Sequence, residues 1–350
     1  WPPLSSVHIA GILKEKGHKV FYKREVPKFL NDYDLFIVPS SIVGCETEIS
    51  VIRELNKLNK KIAVIGPFAS SNPKLYLKEG AFVIKGEPEM FFFNEDIDLK
   101  KIKKISGIVN TFVQTPLDDL PLPGWDIVYN QYPSMFSLLK NKQKMIPILA
   151  TRGCPYSCRY YCTYPLQQGR KVRLRSVKNI LEEINHWIKT IGTNKFVFRD
   201  PVFSINRKFT VELCKEIINQ GLKIEFLIET HLKNLDDELI DLLEKAGLKL
   251  VYVGIESSNP KVLNGIKRFT VDNDQQYQII NELKKNGIIV KSMFMLANPD
   301  DTVETIKNTI EYSKLLPNQL VQFSVFTPYP GTPAYNEFKD KIIVNDFEKY

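Results

Sequence analysis

The sequence predicts an α/β protein in which a doubly wound parallel sheet precedes a partial (β/α)6 barrel. Helix and strand patterns alternate over residues 1–93, and six further strand–helix units begin at Ile146. A turn-rich segment with three cysteines directly follows the first of those six strands. Because the functional groups of barrels lie at the carboxyl ends of the strands, this segment is the predicted centre of activity.

The first domain is predicted from apolar β-rich runs that alternate with helical patterns. The predicted helices are His8–Lys16, Glu48–Leu58 and Lys74–Leu77, and the predicted strands are Lys19–Tyr22, Leu35–Pro39, Lys61–Ile65 and Ala81–Ile84. Ligands of doubly wound sheets bind beyond the carboxyl ends of the strands. The candidate ligand-binding residues at those ends are Ser40, Ser41, Gly66, Pro67, Gly86 and Glu87.

The chain divides into four predicted segments, which are the first domain (1–93), a connector (94–145), the barrel (146–340) and the start of a C-terminal extension (341–350). The connector contains a proline-rich stretch from Asp118 to Trp125, and proline removes backbone donors from regular structure. Since the chain does not begin with Met, we expect the first domain to be truncated at its N-terminus.

The barrel is predicted from six strands separated by amphipathic helices. The strands are Ile146–Ala150, Lys195–Arg199, Lys223–Ile228, Lys249–Ile255, Ile289–Leu296 and Leu320–Phe326, and the clearest helices are Leu235–Lys245, Gln275–Lys285 and Val303–Leu315. A full barrel of eight units would need a longer chain.

Composition excludes several classes of protein. The 350 residues carry a formal net charge of +8, and the excess of Lys is spread over many helices, so we predict no nucleic-acid site. No apolar run reaches the ~18 residues of a membrane span. Three of the five cysteines are clustered, which indicates a metal site in a reducing cytoplasm rather than a disulfide framework. The other two, Cys45 and Cys214, are predicted core residues.

The clustered cysteines, Cys154, Cys158 and Cys162, have the spacing C-x3-C-x3-C. Gly153 and Pro155 predict a loop rather than a helix there. Iron–sulfur clusters are held by thiolates, normally one per iron, so three cysteines leave one iron of a [4Fe–4S] cluster open to a substrate or cosubstrate. A structural zinc site needs four ligands, and no local His or fourth Cys completes one, so we favour iron–sulfur over zinc and over inert cysteines.

The cysteine loop and several later segments together carry a family resemblance. The segments are Arg152–Cys158, Tyr160–Cys162, Gly169–Arg173, Phe198–Pro201, Glu229–Thr230, Gly254–Ser257, Phe294–Leu296 and Thr327–Thr332. Together they resemble the radical S-adenosylmethionine (radical SAM) superfamily, in the branch with an N-terminal cobalamin-binding domain. The resemblance implies a TIM-like barrel and a [4Fe–4S] cluster on the three cysteines, with S-adenosylmethionine on the open iron.

The first domain resembles the Rossmann-like cobalamin-binding domain of the same branch through Pro2–Leu4, Gly17–His18, Gly66–Ala69 and Gly86–Glu89. The resemblance implies cobalamin as a further cofactor. Two features depart from that domain, since its first strand is absent or precedes Trp1, and no Asp-x-His-x-x-Gly motif marks a histidine ligand for cobalt.

Side chains at the ends of the barrel strands are the remaining candidates. Arg199 and Asp200 end the second strand, where catalytic groups of barrels lie, or else form an ion pair facing solvent. Glu229 ends the third strand, and Glu256 and Ser257 end the fourth. All three are candidates for binding S-adenosylmethionine, whose amino group or ribose hydroxyls the two carboxylates can hold. A hydrogen bond at the barrel rim is the alternative for Glu229 and Ser257.

Two positions beside the cysteines also match the family. Tyr161 corresponds to an aromatic that contacts adenine, with simple packing as the alternative, and Gly169 lies where a glycine-rich turn contacts the methionine amine. The family pattern is C-x3-C-x2-C, so this loop has one additional residue between Cys158 and Cys162.

The sequence therefore predicts a radical SAM enzyme that forms a 5′-deoxyadenosyl radical. We expect a cobalamin-dependent methyltransferase that acts on an unactivated carbon of a small molecule and takes electrons from a donor such as flavodoxin or ferredoxin. One alternative is a radical cyclase or oxidase acting on a tetrapyrrole, a lipid or another metabolite. A different class is a catalytically degenerate paralogue that only binds a partner, because of the additional loop residue.

Overall fold

The computed structural model describes residues 2–24, 32–95, 98–111, 116–132, 144–344 and 346–349. Two compact units make up the chain, the first comprising residues 1–135, 161–169 and 328–350 and the second residues 136–160 and 170–327. Parts of the predicted first domain, connector and extension lie outside the described residues, namely 1, 25–31, 96–97, 112–115, 133–143, 345 and 350.

The first unit contains a parallel sheet, which has four strands in the described residues. They are β1 (Leu35–Pro39), β2 (Lys61–Ile65), β3 (Phe82–Lys85) and β4 (Ile108–Asn110). Their spatial order is β1-β2-β3-β4, and each neighbouring pair is parallel. Parallel neighbours need a crossover connection, which the intervening helices supply between β1, β2 and β3.

The first unit also contains helices. They are α1 (Leu4–Glu15), α2 (Cys45–Lys57), α3 (Pro67–Ser71), α4 (Pro73–Leu77), α5 (Pro88–Asn94), α6 (Leu99–Lys104), α7 (Trp125–Val128), α8 (Tyr164–Gln168) and α15 (Pro333–Phe338). On β2, Ile62 and Val64 join one apolar core, whereas Ala63 and Ile65 join the other. Because strand side chains alternate, an apolar run such as Lys61–Ile65 fits a sheet that is buried on both faces.

Two sequence predictions for this unit differ from the structure. The predicted strand Lys19–Tyr22 is wrong, since residues 18–23 have no regular structure and pair with no strand of the described sheet. The segment Ile108–Asn110, predicted to be connector, is the edge strand β4 beside β3. Three residues are too short for a periodic signal, so only the neighbouring strand reveals β4.

The second unit contains the predicted six parallel barrel strands, again counted over the described residues. They are β5 (Ile146–Ile148), β8 (Lys195–Phe198), β9 (Glu225–Thr230), β10 (Leu248–Glu256), β11 (Ile289–Leu296) and β12 (Leu320–Val325). Their spatial order follows their chain order from β5 to β12, and all neighbours are parallel. A sheet that grows by one neighbour at each step is typical of a partial barrel.

Helices connect these strands, namely α9 (Val177–Ile191), α10 (Arg207–Asn219), α11 (Asp237–Ala246), α12 (Pro260–Gly265), α13 (Asn273–Lys285) and α14 (Val303–Leu315). Side-chain caps fix where several of them begin. The Asp236 side chain accepts from the N–H of Leu239 at the start of α11, and Thr302 forms a capping box with Thr305 at the start of α14. These caps define the starts of α11 and α14.

Cys45 and Cys214 are buried, as predicted, with 1% and 0% of their surfaces exposed. No helix in the described part of the chain is both long and apolar enough to span a bilayer.

Candidate active site

A short antiparallel ladder closes the cysteine segment at its two ends. It consists of β6 (Thr151–Arg152) and β7 (Arg173–Leu174), which the sequence did not predict. Gly153 follows β6 with a φ of 87°, and a Cβ there would lie 2.1 Å from the carbonyl oxygen of Lys171. Both the backbone conformation and the close approach therefore require glycine. The predicted loop is confirmed, because only the 3-10 turn Ser157–Tyr160 interrupts irregular backbone between β6 and Tyr160.

Asp200 holds the backbone that leads into this segment. Its carboxylate is fully buried and accepts hydrogen bonds from the N–H groups of Ala150, at 3.3 Å, and Thr151. Burial raises the pKa of Asp200 to about 6, against the effect of those hydrogen bonds. Both oxygens accept backbone hydrogen bonds, which gives Asp200 a positioning role, while its catalytic role stays a prediction. The alternative of a solvent-facing ion pair fails because no surface is exposed.

Arg199, the other predicted catalytic residue, is half-buried directly after β8. Its N–H donates to the Ile148 carbonyl at 2.8 Å, which continues the pairing of β8 with β5. Its guanidinium is close enough to lower the pKa of Glu229. Arg199 thus contributes positive charge near the carboxyl ends of the strands.

Two cysteines of the loop are buried reduced thiols beside arginines. Cys154 and Cys158 expose 7% and 9% of their surfaces. Burial raises the pKa of Cys154, the backbone N–H of Tyr156 lowers it, Cys158 raises it, and Arg268 and Arg170 lower it. Nη1 of Arg268 lies 3.8 Å from the Cys158 sulfur. Thiolates next to guanidinium groups are a donor set that fits an iron–sulfur cluster.

The remaining loop positions lie in the first unit. Cys162 is a partly buried reduced thiol just before α8, Tyr161 is partly buried beside it, and Gly169 ends α8. Within the described residues, no three His, Cys, Asp or Glu side chains are close enough together to hold a metal ion. Ligation by Cys162 and the contacts predicted for Tyr161 and Gly169 therefore stay predictions.

A cavity of about 60 Å³ opens among the carboxyl ends of the barrel strands. Its walls combine carboxylates, a guanidinium, an imidazole and apolar groups. The lining residues are Pro201, Val202, Glu229, Thr230, His231, Gly254, Glu256, Arg268 and Met293. The structure therefore brings the predicted residues Glu229 and Glu256 together with Arg268.

The backbone of β10 is irregular where it reaches this cavity. Its register with β11 shifts between Gly254 and Glu256, and Glu256 has a φ of 67°, which is unusual for a residue with a side chain. A Cβ on Gly254 would lie 2.7 Å from Nη2 of Arg268 and 2.7 Å from Oε1 of Glu256. The missing side chain of Gly254 thus leaves room for a guanidinium and a carboxylate side by side.

The charges around the cavity affect one another. Burial raises the pKa of Glu229, Arg199 and Arg268 lower it, and Glu256 raises it. Burial also lowers the pKa of His231 to about 4, with Arg268 and Lys233 acting in the same direction. The His231 ring contacts the Phe269 carbonyl through Nε2 at 2.6 Å and accepts the Lys233 N–H on Nδ1 at 3.2 Å, which is the pattern of a neutral imidazole.

Ser257 does not belong to the cavity wall. Ser257 is 1% exposed, and its hydroxyl lies 3.2 Å from the Thr309 hydroxyl and accepts the Asn259 N–H at 3.2 Å. These contacts join the end of β10 to α14, which is the alternative of a hydrogen bond at the barrel rim, and the predicted cofactor role stays a prediction.

In the first unit, hydrogen bonds link the predicted residues Ser40, Gly66 and Gly86 to α3. The Ser40 hydroxyl accepts the Ala69 N–H at 2.8 Å, and the Ser70 hydroxyl donates to the Gly66 carbonyl and lies 3.3 Å from the Gly86 nitrogen. Pro67 is the first residue of α3, and the buried Glu87 precedes α5. The ends of β1, β2 and β3 therefore meet at one edge of the sheet, as predicted.

Glu48 and Tyr76 are polar partners beside this edge that the sequence did not indicate. Ser41 donates to Glu48 from its N–H at 2.8 Å and from its hydroxyl at 3.0 Å, and the Tyr76 hydroxyl donates to the other oxygen at 3.0 Å. Burial raises the pKa of Glu48, which these hydrogen bonds partly offset. Glu48 occurs in a helical pattern that predicts only an exposed face, so no local signal marks it.

Arg268 and His231 were likewise missed in the barrel. His231 directly follows the carboxyl end of β9, and that position is the one signal that could have indicated it. Arg268 lies between α12 and α13, where no local signal marks it.

Comparisons with known proteins agree with this geometry. The family model of the radical SAM superfamily matches residues 148–313. An uncharacterized methyltransferase of Pyrococcus horikoshii is 26% identical over 366 residues, which cover 95% of this chain and 77% of the relative. The anaerobic magnesium-protoporphyrin IX monomethyl ester cyclase of Rubrivivax gelatinosus is 26% identical over 389 residues, which cover 100% of this chain and 68% of the relative.

A solved structure has the same fold over nearly the whole chain. It is the radical S-adenosylmethionine methyltransferase TsrM from Kitasatospora setae with cobalamin and a [4Fe–4S] cluster bound, with a TM-score of 0.75 and 16% identity. The match covers 97% of this chain and 76% of that chain. The cysteine loop follows the first strand of a six-stranded parallel sheet, and the family model matches residues 148–313, so the chain carries a radical SAM domain and is an enzyme of that class.

Proposed function

We propose that this radical SAM enzyme transfers a methyl group to an unactivated carbon of a small molecule with the help of cobalamin. This chain combines a parallel-sheet unit with a barrel and has the fold of TsrM over 97% of its residues. That observation carries the proposal. The methyltransferase of Pyrococcus horikoshii supports the same reaction class.

Cys154, Cys158 and Cys162 would hold the [4Fe–4S] cluster. When bound, the cluster supplies one electron that splits S-adenosylmethionine into methionine and the 5′-deoxyadenosyl radical. The residues of the barrel orient the cosubstrate and exclude water from it. Glu229 and Glu256 supply carboxylates for the ammonium group or the ribose hydroxyls of S-adenosylmethionine, and the nearby guanidinium groups of Arg199 and Arg268 balance their charge.

The loops of the first unit would hold cobalamin, which carries the methyl group. Hydroxyl and backbone groups of Ser40, Ser41, Gly66 and Gly86 converge at the carboxyl edge of the sheet, where doubly wound sheets bind ligands. Polar hydroxyl and backbone groups of this kind fit the amide and phosphate groups of cobalamin. None of these loops contains a histidine, so the cobalt would be held without a histidine ligand from them.

A second function has specific support. The cyclase of Rubrivivax gelatinosus aligns with the whole of this chain, and radical ring formation on a tetrapyrrole would use the same cluster and the same cosubstrate site. The two functions differ in the fate of the substrate radical, which either accepts a methyl group or closes a ring.

Reduction of the cluster requires a low-potential electron donor, and we propose a flavodoxin or a ferredoxin. The reduced thiols also fit a reducing compartment, so we place the protein in the cytoplasm.

Anaerobic reconstitution with iron and sulfide, followed by dithionite and S-adenosylmethionine, tests the radical step through release of 5′-deoxyadenosine. Retention of hydroxocobalamin after desalting, measured by absorbance, tests the cofactor. Release of 5′-deoxyadenosine without bound cobalamin would favour the cyclase, whereas no release at full cluster occupancy would contradict both functions.

The carboxylate assignment has its own test. Glu256→Gln should weaken binding of S-adenosylmethionine about tenfold, because a hydrogen bond to a charged group contributes about 1.5 kcal/mol. Glu238→Gln, which changes an exposed carboxylate on α11, is the control. Equal affinity of the Glu256 variant and the wild type in calorimetric titration would rule out this role.

A further inference from the structure

We propose that Arg268 is a positioning residue that holds the Cys158 thiolate through an N–H···S hydrogen bond and thereby raises the reduction potential of the cluster. The inference rests on the proposed cluster ligation by Cys158 and adds a residue that controls how readily the cluster accepts its electron. Arg268 lies between α12 and α13, 110 positions from Cys158 along the chain.

Both terminal nitrogens of the Arg268 guanidinium have a partner. Nη2 of Arg268 donates to the Gly254 carbonyl at 2.6 Å, and Nη1 lies 3.8 Å from the Cys158 sulfur. Since the guanidinium is a planar fork, fixing Nη2 on β10 also fixes the direction of Nη1. The glycine at position 254 is what permits this approach, because a Cβ would lie 2.7 Å from Nη2.

A second contact joins the same two loops one residue away. The Ser157 hydroxyl donates to the Lys267 carbonyl at 2.8 Å, next to the contact between Cys158 and Arg268. Lys267 has a φ of 57°, and its N–H and that of Arg268 donate back to Asn264 and Leu263. This turn directs the Lys267 carbonyl and the Arg268 side chain to adjacent positions of the cysteine loop.

The effect on the cluster follows from charge. Reduction adds one negative charge, and both hydrogen bonds to sulfur and nearby positive charge stabilise the reduced state. Arg268 is partly buried, so solvent and salt screen its charge less than that of an exposed cation such as Lys267. A purely structural role for Arg268 would stabilise the loop without changing the potential.

The experiment measures the midpoint potential of the reconstituted full chain by titration monitored by electron paramagnetic resonance. Arg268→Gln removes the charge and should lower the reduction equilibrium constant about tenfold, which corresponds to about 59 mV for one electron. Arg268→Lys keeps the charge but cannot reach the sulfur and the Gly254 carbonyl together, so it should give an intermediate potential. Lys267→Gln removes the adjacent exposed charge and should keep the wild-type potential.

A wild-type potential in a fully loaded Arg268→Gln protein would overturn the inference. If the Arg268→Gln protein loads no iron, the Arg268→Lys protein is measured instead. A wild-type midpoint potential in that protein would also overturn the inference. Iron and sulfide content of the wild type tests the proposed function separately, so failure of the cluster assignment is distinguishable from failure of the role of Arg268.

Discussion

The carboxylate of Asp200 accepts a hydrogen bond from the backbone N–H of Thr151, and this contact fixes the chain immediately before the cysteine loop. Asp200 follows β8 and Thr151 follows β5, so the contact joins the carboxyl ends of two neighbouring strands. The neighbouring N–H of Ala150 binds the same carboxylate. A buried acid therefore positions the loop that presents the thiols.

Removing this acid should destabilise the protein. Asp200→Ala leaves the buried N–H groups of Ala150 and Thr151 without their acceptor, and we expect the free energy of unfolding to fall by about 2–4 kcal/mol. Asp241→Ala, which removes an exposed carboxylate paired with Lys245, should change it by less than about 0.5 kcal/mol. Chemical denaturation of both variants checks the difference, and equal values would contradict the positioning role.

Gly153 should not tolerate a side chain. Gly153→Ala adds a Cβ that would meet the Lys171 carbonyl at 2.1 Å, in addition to the strain of a positive φ. We expect iron loading to fall at least severalfold, because the loop must move to relieve the clash. Gly192→Ala has the same strain, with a φ of 76° but no atom within 4 Å, and should load iron normally. Comparable iron content in the two variants would show that the close approach is unimportant.

Cys162 should be required for the cluster despite the additional residue in the loop. Cys162→Ala removes one of three predicted thiolate ligands, so iron content and the visible iron–sulfur absorbance should fall to a small fraction of the wild type. Cys214→Ala, which changes a fully buried core thiol of α10, should keep both. Undiminished iron in the Cys162 variant would mean that the cluster uses another ligand.

His231 should make stability depend on pH. Its folded pKa of about 4 lies below the ordinary value of 6.5, so the unfolded chain binds the proton first as the pH falls. This contribution is complete above pH 6.5 and is lost between 6.5 and about 4, with an order of magnitude of about 3 kcal/mol.

Urea unfolding of the wild type and of His231→Gln across that window measures the effect. The variant should lose less stability on acidification, whereas His186→Gln, which removes an exposed histidine of α9, should keep the wild-type dependence. Parallel pH curves for wild type and His231→Gln would contradict the buried neutral imidazole.

The sequence predicted the parts of this protein that depend on neighbouring residues. The alternation of strands and helices gave the barrel, and the strand Ile289–Leu296 and the helix Val303–Leu315 have the predicted bounds. The spacing of Cys154, Cys158 and Cys162, with glycine and proline beside them, indicated a thiolate loop. These signals are local, because periodicity and turn chemistry act over a few residues.

The tertiary structure alone decided which distant groups surround the loop. Asp200 is a buried acceptor of hydrogen bonds from the backbone before the cysteine loop, and Arg268 reaches the Cys158 sulfur from a loop 110 residues away. Neither role has a local signature, since each depends on the order in which parallel strands assemble and bring their carboxyl ends together. The cysteine spacing thus specified the chemistry of the site, and the packing of β5, β8 and β10 selected the residues that position it.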